Sequence, residues 1–180
     1  RDYLDFYAEA MALAGERYLQ YWKAEVIVPI PMHWKKRAAR GYNQSELLAE
    51  RISRLTGIPC EKKMLRCVRY TGNQKELGRG ERRKNLRGSF EAESPGGIAK
   101  DKTALSDRKC LASCRDEKEK YQNWQAPSRV LLIDDVYTTG STMDEAARAL
   151  RAAGVRQIYF LVLCTGKGKK SLHDTKSVLY

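Results

Sequence analysis

The chain of 180 residues is 42% hydrophobic and 31% charged, which is typical of one globular domain with a sizeable core. No apolar run approaches the roughly 20 residues of a membrane-spanning helix, and the amphipathic start is not a secretory signal, so we expect a cytoplasmic protein without membrane insertion. Lysine and arginine outnumber aspartate and glutamate by 34 to 22, and the net charge of +12 favours a polyanionic partner, either nucleic acid or a highly phosphorylated small molecule.

The first third of the chain predicts a helix, a strand and a second helix. Apolar residues recur every three or four positions from Tyr3 to about Trp22, which predicts an amphipathic helix. The β-branched run from Glu25 to Pro31 predicts a buried strand, and a basic loop follows it. Asn43 is then a predicted N-cap of a helix that Gly57 ends. This order of elements begins an α/β unit.

The middle of the chain has a weaker pattern. Residues 64–68 predict a short strand, and residues 75–86 predict a polar helix. Residues 91–127 are polar, rich in turn residues and weakly periodic, which is typical of a mobile insertion.

The last third carries the clearest elements. Residues 129–135 predict a buried strand, Ser141 to Gly154 predict a helix, and Val155 to Cys164 predict another buried strand. Strands that alternate with helices imply a mostly parallel central sheet with helices on both faces. We therefore predict a single α/β domain over residues 1–180, with residues 91–127 inserted in it.

The segment LLIDDVYTTGST, residues 131–142, joins the last-third strand to its helix. Asp134 and Asp135 end the strand, at the edge where open α/β sheets bind ligands. The turn from Thr138 to Thr142 then presents backbone N–H groups and a helix dipole, which together favour a phosphate. Carboxylates repel phosphate, but they bind ribose hydroxyls or a divalent ion. Ribose 5-phosphate satisfies both parts of the segment, because its hydroxyls can bind the acids and its phosphate can bind the turn.

Other patterns carry less chemistry. The five cysteines form no C-x-x-C pair, and the chain has only His33 and His173 to join them, so no zinc site is expected. The segment TGKGKK, residues 165–170, lacks the glycine spacing of a P-loop. A signalling receiver domain also begins with a strand that ends in paired acids, but most of that domain would follow the acids, whereas little of this chain does.

The segment LLIDDVYTTGST resembles the phosphoribosyl-pyrophosphate (PRPP) signature of type I phosphoribosyltransferases. VIVPIPMHWKKRAARGYNQSELLA, residues 26–49, is similar to the ComF/GntX competence family, with its V-P-x-P strand end and R-G-[FY]-N-Q motif. That family's spaced R-x-x-R-x-T-x-x-Q, later Arg and N-[LV]-x-G-x-F correspond to Arg66, Arg69, Thr71, Gln74, Arg82, Asn85, Gly88 and Phe90. The resemblance implies a type I phosphoribosyltransferase-like (Rossmann-like) fold with a small hood region.

The resemblance also implies four groups of site residues. The catalytic pair, which would also hold Mg²⁺ with the ligand's help, is Asp134 and Asp135. The PRPP and phosphate group is Val136, Tyr137, Thr138, Thr139, Gly140, Ser141 and Thr142. The pyrophosphate loop and its cations are Pro31, Met32, His33, Arg37 and Arg40, with Lys35 and Lys36 nearby. The acceptor-side candidates are Tyr42, Asn43 and Gln44, although a helix cap explains Asn43 equally well.

The implied function is PRPP-dependent transfer in a bacterial family linked to DNA uptake and natural transformation. The reaction expected is displacement of pyrophosphate at ribose C1 by a nitrogen nucleophile that the sequence does not identify, with Mg²⁺ as cofactor. Single-stranded DNA, a competence helicase or other DNA-uptake proteins are the partners that the resemblance implies. Family members commonly begin with a four-cysteine zinc ribbon that this sequence lacks, and truncation or true absence both explain this.

A second hypothesis is a non-catalytic module that binds single-stranded DNA on the same fold. Basic patches interleaved with Trp34, Tyr42 and Tyr70 favour it, because aromatic side chains stack on bases. Loss of PRPP binding in Asp134→Asn would favour the nucleotide site, whereas salt-dependent DNA binding that survives this change would favour the module.

Overall fold

The computed structural model describes residues 3–70, 85–93 and 125–166. In chain order its helices and strands are α1 (Tyr3–Trp22), β1 (Val26–Pro29), α2 (Trp34–Arg40), α3 (Gln44–Thr56), β2 (Leu65–Cys67), β3 (Phe90–Ala92), β4 (Arg129–Tyr137), α4 (Ser141–Ala152) and β5 (Gln157–Thr165). The predicted helix at 75–86 and insertion at 91–127 lie mostly outside the described residues, as do Thr71, Gln74, Arg82 and His173.

Parallel strands form the central sheet in the order β1-β4-β5. β4 lies in the middle, and Val26 of β1 lies opposite Val130 of β4. The Ile30 N–H donates to the Ile133 carbonyl over 2.9 Å, which carries this pairing one residue past β1. The predicted mostly parallel sheet is confirmed, and the carboxyl ends of its strands meet at one edge.

Alternate residues of β4 face opposite sides of the sheet, as the pleat of a strand requires. Leu131 and Ile133 pack with α1 and α3, whereas Val130 and Leu132 pack with α4 and with the pair formed by β2 and β3. These four side chains are at most 1% exposed. Helices therefore cover both faces of the sheet, as predicted.

Helix α1 has the span that the sequence predicts, Tyr3 to Trp22. Its buried residues recur every three or four positions and pack in the core between α1, α3 and the sheet. These residues are Ala8, Met11, Gly15 and Leu19. Within the described ranges, no helix is both long and apolar enough to cross a membrane.

The segment after β1 is helical, and the predicted basic loop is wrong. His33 caps the start of α2, where its Nδ1 accepts a hydrogen bond from the Lys35 N–H over 3.3 Å. Gly41 caps its end in the left-handed conformation, with φ at +84°. The Lys, Arg and Ala residues between these caps are strong helix formers, so a short helix forms despite its concentrated charge.

Strands β2 and β3 form an antiparallel pair that packs on α4. Arg66 of β2 lies between Glu91 and Glu93, with its Nε 2.7 Å from Glu93 Oε1. Phe90 of β3 is buried in the core on the α4 face of the sheet. Glu91 and Ala92, which the sequence assigns to the insertion, therefore belong to this pair of strands.

Candidate functional site

The paired acids lie where β4 extends beyond β1. The sequence predicts that β4 ends at Asp135, but the strand continues to Tyr137 because its pairing with β5 continues. β1 ends at Pro29, opposite Ile133. Asp134 and Asp135 therefore stand at the carboxyl edge of the sheet, next to the end of β1.

Asp134 is a buried carboxylate that accepts hydrogen bonds from Ser45 and Asp135. Its Oδ1 lies 2.8 Å from Ser45 Oγ and 2.9 Å from the Asp135 main-chain nitrogen. Burial is the main cause that raises the pKa of Asp134 to about 7, the Ser45 hydrogen bond opposes this rise, and the charge of Asp135 adds to it. No lysine, arginine or histidine of the described residues forms an ion pair with Asp134. A cation or a ligand hydroxyl would stabilise its charged form.

The two acids fit a magnesium ion that arrives with a phosphorylated ligand. Mg²⁺ in proteins takes oxygen donors, commonly one or two carboxylates, with phosphate oxygens and water completing a shell of about six. Asp134 and Asp135 are consecutive residues that supply two such carboxylates at the end of β4. Among the described residues, no group of three or more His, Cys, Asp and Glu side chains is arranged to hold a metal ion by itself.

The turn after β4 leads directly into α4. This helix of 12 residues begins at Ser141, and its first N–H groups have no carbonyl partner within the helix. Thr139 Oγ1 lies 3.0 Å from Ser141 Oγ, so hydroxyls gather at the same point. Thr138 is exposed and Thr142 is half-buried. Free N–H groups, a helix dipole and hydroxyls together suit a phosphate.

Gly140 gives this turn its shape. Its φ of +79° lies in the left-handed region, and a Cβ at this position would lie 2.6 Å from Tyr137 Oη. The Tyr137 ring stacks on Phe160 of β5, with ring centres 5.8 Å apart. Val136, between the acids and Tyr137, is 40% exposed. The turn therefore depends on a residue without a side chain.

The predicted pyrophosphate loop connects β1 to α2. Pro31 and Met32 are half-buried, and His33 is buried as the cap of α2. Since Ile30 pairs with Ile133, the loop starts beside the acidic pair of β4. The structure thus brings this loop and the acids to the same edge of the sheet.

The predicted cations of this loop differ in how they are paired. Arg37 Nη1 lies 2.7 Å from Glu46 Oε1, so a carboxylate already balances its charge. Arg40 is exposed and donates to Gln44 Oε1 over 3.3 Å, a neutral acceptor. Among the residues that the structure describes, no carboxylate balances the charge of Arg40, which could therefore serve an anion.

Aromatic and basic side chains gather at the start of α2, and we call them the aromatic–basic cluster: His33, Trp34, Lys35, Lys36 and Tyr70. The His33 ring centre lies 5.7 Å from that of Trp34 and 5.2 Å from that of Tyr70. Lys35 Nζ lies 5.5 Å from the Trp34 ring centre and 5.7 Å from that of Tyr70, and Lys36 Nζ is also 5.7 Å from Tyr70. Trp34 and Tyr70 are 67% and 47% exposed.

Asn43 is engaged within the fold at both ends of its amide. Its Oδ1 accepts from the Ser45 N–H over 3.2 Å, which makes it the N-cap of α3. Its Nδ2 donates to the Ile30 carbonyl over 2.9 Å. The other two acceptor-side candidates, Tyr42 and Gln44, are half-buried and so are more exposed than the buried Asn43.

Glu145 ties the β2–β3 pair to α4. It is 8% exposed, and its Oε1 accepts from the Gly88 N–H at 2.5 Å and from Arg148 Nη2 at 2.7 Å. Burial alone would raise the pKa of Glu145, but the hydrogen bonds from Arg148 and Gly88 lower it below its usual value. Nearby, an Arg69 guanidinium N–H donates to the Asn85 carbonyl.

The cysteine thiols that the structure describes are not activated as nucleophiles. Cys60, Cys67 and Cys164 are free. Burial raises the pKa of Cys60 to about 11 and also raises that of Cys67. Both therefore stay protonated at neutral pH, and a protonated thiol is a poor nucleophile.

Sequence reasoning missed Ser45 and Glu145, the buried polar residues that connect distant parts of this region. Ser45 follows directly on R-G-Y-N-Q, and its position in the first turn of α3 was the available signal. Glu145 lies one helical turn from the buried residues Ser141 and Ala149, so it places a charge on the buried face of α4.

Comparisons with known proteins identify a domain family and several relatives of this chain. A family model described as "Phosphoribosyl transferase domain" matches residues 119–179. "Competence protein F" of Haemophilus influenzae is 33% identical over 134 residues, which is 74% of this chain and 47% of that protein. "DNA utilization protein YhgH" of Escherichia coli K12 is 27% identical over 77% of this chain and 48% of that protein. "Competence protein ComFC" of Bacillus subtilis is 29% identical over 72% of this chain and 39% of that protein.

The chain therefore spans about half the length of the curated relatives that it matches. Among solved structures, glutamine PRPP amidotransferase from B. subtilis, in complex with ADP and GMP, aligns with a TM-score of 0.42 and 20% identity. That alignment covers 78% of this chain and 22% of the amidotransferase chain.

Proposed function

The chain belongs to the ComF family of competence proteins and carries a phosphoribosyltransferase-like domain, and from this premise we propose that it binds PRPP at the carboxyl edge of its sheet. The observation that most supports this is the position of the buried Asp134, beside Asp135, on the strand that leads into the glycine turn before α4. The carboxylates would accept hydrogen bonds from the ribose hydroxyls. The N–H groups at the start of α4 would hold the 5-phosphate.

Mg²⁺ would be held by Asp134 and Asp135 together with oxygens of the ligand. When bound, it would supply positive charge that balances the pyrophosphate group. Arg40, with no carboxylate partner among the described residues, would add charge from the β1 side. These residues bind and orient the ligand, which is the work that such a transfer requires of a protein.

The reaction class is transfer of the phosphoribosyl group to a nitrogen nucleophile. The bond from ribose C1 to the pyrophosphate oxygen breaks, and its electron pair leaves with pyrophosphate. The nitrogen lone pair forms the new bond to C1, and the proton that the nitrogen loses passes to water. The half-buried Tyr42 and Gln44 are the residues that would contact the acceptor.

Calorimetry with PRPP, with and without Mg²⁺, tests the proposal directly. We expect saturable binding that Mg²⁺ strengthens, and we expect Asp134→Asn to weaken it at least about tenfold, because a charge-assisted contact contributes about 1.5–3 kcal/mol. Glu9→Gln is the matched control, since it neutralises an exposed acid on α1.

The result that would overturn the proposal is the absence of heat at millimolar PRPP with folded wild-type protein. Equal weakening by Asp134→Asn and Glu9→Gln would overturn the assignment of the site, because it would show a general effect of charge. With binding established, a screen of amines for pyrophosphate release tests the transfer step separately.

A second candidate function is binding of single-stranded DNA through the aromatic–basic cluster. The observation that favours it is the exposure of Trp34 and Tyr70 beside Lys35 and Lys36. Stacking faces next to cations are what single strands bind, largely without regard to sequence. This activity would suit a cytoplasmic protein that acts with a competence helicase or with other DNA-uptake proteins.

A further inference from the structure

Ser45 joins the first turn of α3 to the acidic end of β4. It is 3% exposed, and its Oγ donates to Asp134 Oδ1 over 2.8 Å. The main-chain N–H of Asp135 donates to the same oxygen over 2.9 Å. Both donors use Oδ1, so the orientation of the carboxyl group is fixed through one oxygen, while neither donor uses Oδ2.

Ser45 is itself held in place by its neighbours. Its N–H donates to Asn43 Oδ1 over 3.2 Å, and the Asn43 amide nitrogen donates to the Ile30 carbonyl over 2.9 Å. One short segment of the chain, residues 43–45, therefore contacts both the end of β1 and the acid on β4. These strand ends carry the two halves of the proposed ligand site.

We propose that Ser45 is a positioning residue that orients Asp134 toward the ribose hydroxyls, an inference that rests on the PRPP site proposed above. Asp135 lies next to Asp134, and the like charges would otherwise drive the buried carboxylate away from a shared ligand. The Ser45 hydroxyl opposes this repulsion because it is a neutral donor that binds the charged oxygen without adding a competing cation.

A structural role alone does not explain the Ser45 hydroxyl. The N-cap of α3 is already supplied by Asn43, so the helix start does not depend on it. Ser53, on the same helix, shows the structural alternative, since its Oγ donates to the Ile58 carbonyl over 2.6 Å at the far end of α3. Ser53→Ala is therefore a matched control for the loss of one hydroxyl from this helix.

The test compares ligands that do and do not contain ribose. Calorimetry on the full chain would measure PRPP and ribose 5-phosphate with Mg²⁺, and inorganic phosphate without Mg²⁺, so that the phosphate cannot reach the acids through the ion. We expect Ser45→Ala to weaken both ribose ligands about tenfold, because it removes one charge-assisted hydrogen bond. Inorganic phosphate uses only the turn before α4, and we expect its affinity to stay within about twofold.

The outcomes separate this inference from the function on which it rests. If wild type binds PRPP and Ser45→Ala binds it equally well, the positioning role falls and the site stands. Equal weakening of all three ligands, or the same loss in Ser53→Ala, would also overturn the role, because either result indicates a general loosening. If wild type binds neither ribose ligand, both fall together.

If Ser45→Ala does not fold, Ser45→Cys provides a second test of the same role. Cysteine is close to serine in size, but its thiol is a much weaker donor. We expect weaker binding of the ribose ligands with unchanged phosphate binding, and wild-type affinity in the cysteine variant would contradict the proposal.

Discussion

Asp134 combines burial with an ionisable group, and these properties oppose each other. At 8% exposure the carboxylate has lost most of its contact with water. Hydrogen bonds from Ser45 and from the Asp135 N–H compensate only in part, since the pKa still rises to about 7. A residue kept in this state despite the loss of stability is typical of a binding or catalytic position.

Neutralising Asp134 should stabilise the ligand-free protein at high pH. Its pKa in the fold lies above its unfolded value, so its stability contribution is complete below about pH 4 and is lost as the pH rises to about 7. At about pH 8 we expect Asp134→Asn to raise the free energy of unfolding by about 1–3 kcal/mol. Near pH 4 the difference should almost vanish, and urea unfolding at both pH values measures it.

Glu9→Gln serves as the reference for the pH experiment as well, because Glu9 is an exposed acid that keeps its hydration in the fold. Its effect on unfolding should be small at both pH values. If Asp134→Asn proved less stable than wild type at high pH, the charge of Asp134 would have to be well satisfied inside the ligand-free fold.

At the scale of elements, the turn between β4 and α4 decides whether backbone N–H groups can reach a phosphate. Gly140 lies directly before α4 and Gly57 lies directly after α3, and both glycines have positive φ, at +79° and +74°. Only Gly140 lies against another side chain, the hydroxyl end of Tyr137, whereas nothing lies within 4 Å of a Cβ at Gly57. Substitutions at the two glycines therefore distinguish the effect of backbone strain, which both share, from the effect of crowding, which occurs only at Gly140.

We expect Gly140→Ala to abolish most PRPP binding and Gly57→Ala to leave it unchanged. Both changes should lower the free energy of unfolding by about 1–2 kcal/mol, because alanine is strained in the left-handed region. Only at Gly140 must Tyr137 also move, which shifts the turn. Calorimetry and urea unfolding on both variants measure the two effects, and equal PRPP affinities would exclude this turn as the phosphate site.

The elements that the sequence predicted well are those with a long, regular pattern. α1 matches its predicted span, and Asn43 and Gly57 bound α3 as expected, because a period of three to four residues and two caps specify a helix locally. α2 was missed because a helix of seven residues is too short for such a period. Its capping His33 also belongs to a type less common at that position than Ser, Thr, Asp or Asn.

The site was predictable only where its residues are close in sequence. Asp134, Asp135 and the turn to Thr142 form one continuous segment, so their spacing indicated their chemistry. The bond between Ser45 and Asp134 joins residues 89 positions apart, and only the folded sheet brings them together. The cluster of Trp34 with Tyr70 arises in the same way.

At the scale of the whole molecule, the net charge of +12 is unevenly compensated. Many described acids form ion pairs, including Arg37–Glu46, Arg51–Asp5, Lys62–Glu50, Arg66–Glu93 and Arg129–Glu25. Lys35 and Lys36 instead lie over aromatic rings and form no ion pair with a described acid. Uncompensated charge therefore borders the proposed PRPP site.

This distribution predicts that single-stranded DNA binds at the aromatic–basic cluster with strong salt dependence. Trp34→Ala and Tyr70→Ala should each weaken an oligonucleotide about tenfold in fluorescence anisotropy, because a stacked base contributes about 1–3 kcal/mol. The association constant should fall as salt rises, since bound phosphates release counterions. Tyr21→Ala is the control, an 81% exposed aromatic on α1. An equal loss of DNA affinity in Tyr21→Ala would show that exposed aromatic area in general, and not this cluster, binds the strand. Unchanged DNA affinity in Asp134→Asn would show that the DNA site and the PRPP site are separate.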